Sequence, residues 1–521
     1  MKSDSSPRMG TTVVTMVLLT LGAKALGMLR QMMTAAVFAA SAEGIAFAAA
    51  SRIPLAVFDM LFSTAILGSF LPIYRGRLLS GEKRAREFSS AFFTVILAVT
   101  CISALLGVCL ARPVLRLAAP SLTCETLTLA VRLLRIMFPS MIFAGAAYIL
   151  IGILQSHESF LLPASVSAVS NLISIAYLTV FAPHTNTKAA VYGLAVVYTL
   201  SWAAQFLTLA VPLLLKHRMP RLCRVSKAQD LADAGRRALP VMFGAWLIPA
   251  VTLTANAAAT YVSGGAAVVF FENAFSVFSI AGGLMTYGVC NYLFPKLAAR
   301  FSEGDREGFA RSAGIGLIVS LMISLPIAAA LFILADETVC LLFVRGNYTA
   351  ELAVGTAAAL RVLCLAMPAY GVIEFLCRVS YSCAKVLRPT IASAVGILTA
   401  IVPAWILRLS NRHSLVSVTC CAAAALLAAA TVHLILSRRL LTSPLAVAVA
   451  VLGTALSCTV MVPLRTLLKK ILQNNGAFQN FITIALVFAA GIVVYLIWIF
   501  LFRRRLKKWL SAYSGNHAAV K

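Results

Sequence analysis

Stretches of roughly 20 predominantly apolar residues recur about fourteen times along this chain, each long enough to cross the hydrocarbon core of a bilayer as a helix. They fall near residues 11–33, 43–75, 88–111, 125–154, 159–182, 189–215, 236–262, 264–297, 308–335, 352–383, 388–408, 414–437, 444–464 and 480–502. Backbone in lipid has no water to bond, so it must satisfy its own N–H and C=O groups, and runs of this length do that as helices. Of the 521 residues, 61% are hydrophobic and only 12% charged, against about a quarter charged in a soluble domain. The expected fold is an all-α polytopic membrane protein of about fourteen transmembrane helices.

The net charge of +27 does not point to nucleic acid, because the basic residues sit in short loops between apolar runs and form no nucleic-acid-binding motif. Their distribution sets the orientation instead. One set of loops and ends holds 29 of them, including Arg75, Arg77, Lys83, Arg84, Arg86, Lys216, Arg218, Arg221, Arg224, Lys227, Arg236, Arg237, Arg300 and the tail Arg503 to Lys508. The alternate set holds nine: Arg112, Arg116, Lys188, Arg345, Arg408, Arg412, Arg465, Lys469 and Lys470. Positive-inside bias then puts both termini in the cytoplasm, which requires an even number of spans. The first apolar run is expected to be retained as a helix rather than cleaved as a signal, because Lys24 and Arg30 occupy its far end. An inner-membrane location with cytoplasmic termini is expected. The basic tail reads as an anchor on the anionic leaflet.

The two halves of the chain repeat. Phe70-Leu-Pro72 through Arg77 to Gly81 matches Leu293-Phe-Pro295 through Arg300 to Gly304 at one offset. Arg132 to Pro139 matches Arg361 to Pro368, and Pro163 with Ser167 matches Pro389 with Ser393. A repeat unit of about six helices is even, so both copies enter the membrane in the same direction, the parallel arrangement of carriers whose halves rock about a midplane site. Residues 1–215 and 216–438 are thus expected as two six-helix lobes, 439–502 as two additional helices and 503–521 as a cytoplasmic tail.

Six basic residues remain inside spans: Lys24, Arg30, Arg52, Arg132, Arg135 and Arg361. The acidic ones are Asp59, Glu272 and Glu374, with Glu43 and Glu125 at span edges. An ionisable group near the midplane costs a few kcal/mol on insertion scales and should face a partner or a wet cavity. Arg52 and Asp59, seven apart, share a helix face with Pro54 between them, as an ion pair or as part of a site. Glu374 and Arg378, four apart, fit local pairing. Arg132 and Arg361 occupy matching repeat positions, which suits a structural role. The first helix supplies no acid for Lys24 and Arg30, so with Arg52 they offer a cationic surface to an anionic headgroup, with snorkelling toward the membrane surface as the alternative.

The twelve cysteines, scattered through apolar segments without C-x-x-C or a His/Cys cluster, read as small packing residues. No H-E-x-x-H, Walker or G-x-S-x-G motif occurs, so neither an enzyme nor a directly ATP-driven pump is expected, and no metal or cofactor is called for.

These residues together resemble the MurJ/MviN family of lipid II flippases, within the multidrug/oligosaccharidyl-lipid/polysaccharide exporter superfamily. The resemblance runs over most of the chain and rests on Leu26-Gly-Met-Leu-Arg30, Arg52-Ile-Pro54, Phe70-Leu-Pro72, Leu293-Phe-Pro295, Arg345-Gly-Asn-Tyr-Thr349 and Tyr381-Ser-Cys-Ala-Lys-Val-Leu-Arg-Pro389. It implies transfer of the undecaprenyl-diphosphate-linked peptidoglycan precursor to the outer leaflet by alternating access. It also implies a cationic central cavity for the diphosphate and a groove with the last two helices for the polyprenyl tail. Arg30 matches the family's first-helix arginine, and Lys24 and Arg52 fall at usual basic positions. Gln31, Ile45, Phe58 and Ser63 depart from charged residues of the family, and Ala274 to Ser276 lacks an expected arginine. Those departures leave open a sister flippase for another lipid-linked polysaccharide, or a drug or ion antiporter with Asp59, Glu272 and Glu374 as coupling carboxylates. A membrane-embedded glycan polymerase would show a substantial outer loop and a catalytic carboxylate, and the outer loops here are short.

Overall fold

The computed structural model describes residues 6–63, 66, 70–223, 235, 242–383, 385–410, 413–438, 444–472 and 476–512; among them the side chains of 6–14, 17, 284–289, 291, 292, 295, 444, 445 and 505–512 are left aside. Arg224, Lys227, Arg236, Arg237, Arg412 and Arg439, and most of the basic tail, lie outside that description. Every described element is helical, apart from a single bridge between Arg345 and Tyr348. By contacts the chain forms two compact units, Met1–Val269 and Phe270–Lys521.

The first unit contains α1 (Ser6–Phe38), α2 (Ala42–Phe58), α3 (Leu71–Leu79), α4 (Glu82–Cys109), α5 (Ala111–Ala118), α6 (Cys124–Met137), α7 (Ser140–Ser156), α8 (Leu161–Ala176), α9 (Thr187–Leu215) and α10 (Leu247–Ala259). Helix α1 packs on α8, α2 on α6, and α7 on both α4 and α9. The Asn171 amide of α8 donates to the Ala23 carbonyl at 3.1 Å, and Gly27 lets that side chain approach α1 closely. Phe70 stacks on Tyr74 and Phe88 and lies tilted against Phe92, with ring centres 5.1–5.7 Å apart, and Gly152 leaves room for its ring. Glycine at such crossings lets helices approach closely where no hydrophobic effect drives them together.

Elements of the second unit are α11 (Ala266–Ser302), which begins at the end of the first, α12 (Arg306–Ile333), α13 (Ala335–Phe343), α14 (Ala350–Leu365), α15 (Met367–Ser382), α16 (Leu387–Leu409), α17 (Leu415–Leu436), α18 (Pro444–Leu472) and α19 (Ala477–Ala512). Helices α16 and α17 pair closely, as do α18 and α19, while α12 packs on α15 and α18. Tyr495 donates to the Met322 carbonyl at 2.8 Å, and Ala330, Leu334, Met461 and Val487 form an apolar cluster that fixes the α18–α19 hairpin to the unit.

The repeat appears as paired breaks. Gly81 and Gly304, at matching positions, both have positive φ (124° and 76°), a conformation glycine adopts without steric cost, and each precedes a long helix. Pro139, between α6 and α7, and Pro368, in the first turn of α15, each stand where a span is interrupted.

Eleven of the described helical segments are long and apolar enough to cross a membrane, or twelve if α14 and α15, bent by 50°, form one span. The expected count of fourteen is therefore not reached among the described residues. The first expected span lies in α1, and the seventh corresponds to α10, whose 13 residues reach only about 20 Å. Exposed faces are apolar: Val99, Ile102, Leu105 and Leu106 on α4, and Val493, Leu496, Ile497 and Phe500 on α19. Surfaces of that kind suit lipid and not water.

Candidate functional site

Helix α2 starts at Ser41, whose hydroxyl accepts from the Gly44 N–H at 3.2 Å, with Glu43 in the favourable first turn. Its end departs from regular α geometry: past Pro54, residues Asp59–Ser63 form a π-helical turn. Turns of this type widen a helix and re-aim side chains, and they are frequent at functional sites. The Ser63 hydroxyl donates back to the Asp59 carbonyl at 3.2 Å.

Around this turn the first unit gathers charge. Arg30 of α1 lies within electrostatic reach of Arg52 of α2 and of Tyr198 of α9. Asp59 interacts with Arg52 and also bonds the Ser63 side chain. Trp202, one turn beyond Tyr198, bonds the phenol oxygen, and an indole N–H can only donate. Three helices thus bring two guanidiniums, one carboxylate and one phenol together. Arg30, Arg52 and Asp59 are all half-buried, although the Arg30 Nε itself is shielded and has no hydrogen-bond partner. A buried donor without an acceptor is costly, and an anion is one kind of group that would satisfy it. Two neighbouring guanidiniums repel, and a phosphate between them would relieve the repulsion while accepting from both forks.

Lys24 is half-buried on α1, six residues before Arg30, which places it about 9 Å along the axis and about a third of a turn round. That spacing puts it on a different face of α1 from Arg30. Glu272 is buried on α11 and Glu374 half-buried on α15, both in the second unit, where Arg378 stands 3.9 Å from Glu374. Arg132 is exposed on α6, whereas Arg361 pairs with Asp336. The departures from the family pattern have physical places too. Phe58 is fully buried against Phe62 and Tyr148, Ile45 packs beside Gly265, and Ser63 is tied to the π-helical turn.

Sequence reasoning missed Tyr198 and Trp202; their i, i+4 spacing on α9 was the available signal. It also missed the network on α13. Asp336 accepts from Arg361 and from Arg465 Nη2 at 2.8 Å, and Glu337 Oε1 accepts from Arg465 Nε and Lys469 Nζ at 2.8 Å each. Expected to lie in a loop after residue 464, Arg465 and Lys469 instead belong to α18, which continues to Leu472. Their charges are tolerated in the helix because they are paired.

A further cleft lies at the end of the first unit that carries Arg75 to Arg86, where Tyr74 Oη and His157 Nε2 are 3.3 Å apart and Arg218 meets Glu82 at 3.2 Å. Burial lowers the His157 pKa, and the nearby Arg218 and Lys216 charges add to that.

The model of the family described as "Lipid II flippase MurJ" matches residues 34–510. The match begins just after Arg30 and so includes neither Lys24 nor Arg30. A probable lipid II flippase MurJ of Bdellovibrio bacteriovorus is 28% identical over 382 residues, covering 71% of this chain and 69% of that one. The lipid II flippase MurJ of Burkholderia cenocepacia is 27% identical over 386 residues, covering 73% and 74%. Among solved structures, one titled "Lipid II flippase MurJ, inward closed conformation" superposes with a TM-score of 0.78 at 19% identity, covering 95% of this chain and 99% of that one. A multidrug and oligosaccharidyl-lipid exporter superfamily transporter from Pyrococcus furiosus gives 0.63 at 15% identity, covering 82% and 94%. At these identities the structures speak for the fold, and the family match over most of the chain decides membership: this multi-pass membrane protein belongs to the lipid II flippase MurJ family.

Proposed function

We propose that this chain carries the undecaprenyl-diphosphate-linked peptidoglycan precursor from the cytoplasmic to the outer leaflet by alternating access, with Arg30, Arg52 and Lys24 as the surface that receives the diphosphate. The carrying observation is the shielded, unpartnered Arg30 Nε beside a second guanidinium. A diphosphate cannot enter hydrocarbon alone, since burying its charge without compensation is prohibitive. A cationic wall inside a helical carrier lowers that barrier while the polyprenyl tail stays in lipid. Asp59 holds Arg52 and limits the repulsion between the guanidiniums while the site is empty. Tyr198, oriented by Trp202, supplies a neutral hydroxyl for a phosphate oxygen.

Both termini are cytoplasmic in this reading, supported by the lysine and arginine asymmetry of the loops. Substrate shifts the balance between inward- and outward-open states only through contacts that differ between them. The two six-helix lobes at 1–215 and 216–438 are the moving parts. Complementation of a strain depleted of its lipid II flippase tests the reading. Growth restored by the wild-type chain supports it, and lysis despite normal membrane abundance contradicts it.

A further inference from the structure

Three buried polar atoms of α15 and α17, two helices of the second unit that pack together, lack partners. On α15, Ser380 is 1% exposed and its Oγ has no hydrogen-bond partner. On α17, His433 is 0% exposed; its Nε2 lies 3.5 Å from Cys377 Sγ, and its Nδ1 is unpartnered. Ser437 caps α17, its N–H bonded to the His433 carbonyl at 3.0 Å, and its buried Oγ also lacks a partner. The Cys377–His433 contact fixes which faces of α15 and α17 meet. Ser437 follows His433 by four residues and Ser380 follows Cys377 by three, so both hydroxyls lie one turn on along the same seam. Buried polar groups left unmatched in a native fold call for a water, an ion or a role.

We propose that Ser380, His433 and Ser437 form a proton-binding site of the transport cycle, with an internal water held between the two hydroxyls and the imidazole. The inference rests on the flippase reading for the use of the site, though not for its existence. A buried water usually makes about three hydrogen bonds, the number of orphaned atoms here. With Nε2–H donating to Cys377 Sγ, the Nδ1 lone pair faces that water. A proton from solvent adds to Nδ1 and later returns to water; no other bond forms or breaks, and no oxidant or reductant is involved.

The chemistry of the surroundings favours a proton over a metal ion. No group of three or more His, Cys, Asp or Glu side chains could hold a metal among the described residues, while a neutral imidazole keeps one ring nitrogen with a free lone pair that can take a proton. The titratable groups around it are the Cys377 thiol and, acting on that thiol, Glu374 and Arg378 of α15 and Cys290 of α11, with Tyr381 one turn on. From α14 and α16, which also pack on α17, no charged side chain is paired with the imidazole among the described residues. In an alternating carrier, a group that is dry in one state and wet in another binds protons differently in the two. Proton binding then biases their populations.

The test uses the full chain in proteoliposomes loaded with a polyprenyl-diphosphate-linked glycan, with initial transport rates measured from pH 4 to 8.5 for wild type, His433→Gln and Ser380→Ala/Ser437→Ala at matched abundance. Wild type should show a pH-dependent rate, up to roughly tenfold per pH unit for a single titrating group. His433→Gln should flatten the profile while leaving transport measurable, and the double serine variant should move its midpoint. Superimposable profiles for wild type and His433→Gln overturn the proposal. Ring-nitrogen NMR of histidine-labelled protein, with the His433 signal identified by its loss in His433→Gln, gives a readout independent of transport. An Nδ1 signal that titrates within this range supports the site, and one that stays constant overturns it. A wild type inactive at every pH contradicts the flippase reading instead, and the ring titration then decides the proton site alone.

Discussion

Glu337 Oε1 accepts from both Arg465 Nε and Lys469 Nζ at 2.8 Å, joining α13 to a helix 128 residues further along the chain. Its side chain is 1% exposed, so removing it takes the acidic partner from Lys469 and leaves Arg465 with Asp336 alone. Glu337→Ala should lower stability by about 1–3 kcal/mol, the cost of leaving partly buried charged donors short of an acceptor. The exposed Glu125–Lys188 pair, 3.3 Å apart, is the control. Glu125→Ala should cost under about 1 kcal/mol. Thermal unfolding in detergent reports both, and equal losses would contradict the ranking.

Close packing of α12 on α15 depends on Gly316. A Cβ there would stand 2.2 Å from the Phe375 ring and 2.6 Å from Leu293, and Phe375, 1% exposed, has no room to turn aside. Gly316→Ala should therefore destabilise by about 1–3 kcal/mol through overpacking. Gly76→Ala, where a Cβ meets nothing within 4 Å, should be nearly neutral. A pair of melting curves checks the difference.

His157 should make the folded protein more sensitive to acid. Its folded pKa lies below the unfolded value, so the unfolded chain takes up the proton first. The stability this imidazole contributes is complete above the unfolded pKa and declines as pH falls from there through the folded pKa. Melting temperatures at pH 7.5 and 5.5 should fall less for His157→Gln than for wild type. An identical fall would show that the ring contributes nothing to the pH response.

What was legible in the sequence was whatever is local or repeated. Periodic apolar runs marked helices, and the Glu374–Arg378 contact follows from four-residue spacing on one turn of helix. Gly81 and Gly304, and Pro139 and Pro368, could be matched because the same backbone need arises twice. Contacts across long separations carry no such signal: nothing near Glu337 announces Arg465, and an unpaired reading of Arg465 and Lys469 ended α18 too early. Of the charge cluster, Arg30, Arg52 and Asp59 stood out because ions are rare in apolar runs. Tyr198 and Trp202 did not, since aromatic residues on an apolar helix look like any packed face. The π-helical turn after Phe58 is likewise invisible to a reading based on a 3.6-residue period.

The most direct test of the transport site compares Arg30→Ala with Arg132→Ala. Arg30 stands in the cluster with a shielded, unpartnered donor, whereas Arg132 is exposed on α6. The measurement is transport of a lipid-linked precursor to the outer leaflet in proteoliposomes, with each variant at equal abundance. Losing a charge-assisted contact to the diphosphate should slow Arg30→Ala by roughly tenfold or more, with partial recovery in Arg30→Lys, which keeps the charge but not the fork. Arg132→Ala should stay near wild type. Wild-type transport by Arg30→Ala would remove this residue from the site and contradict the proposed headgroup surface.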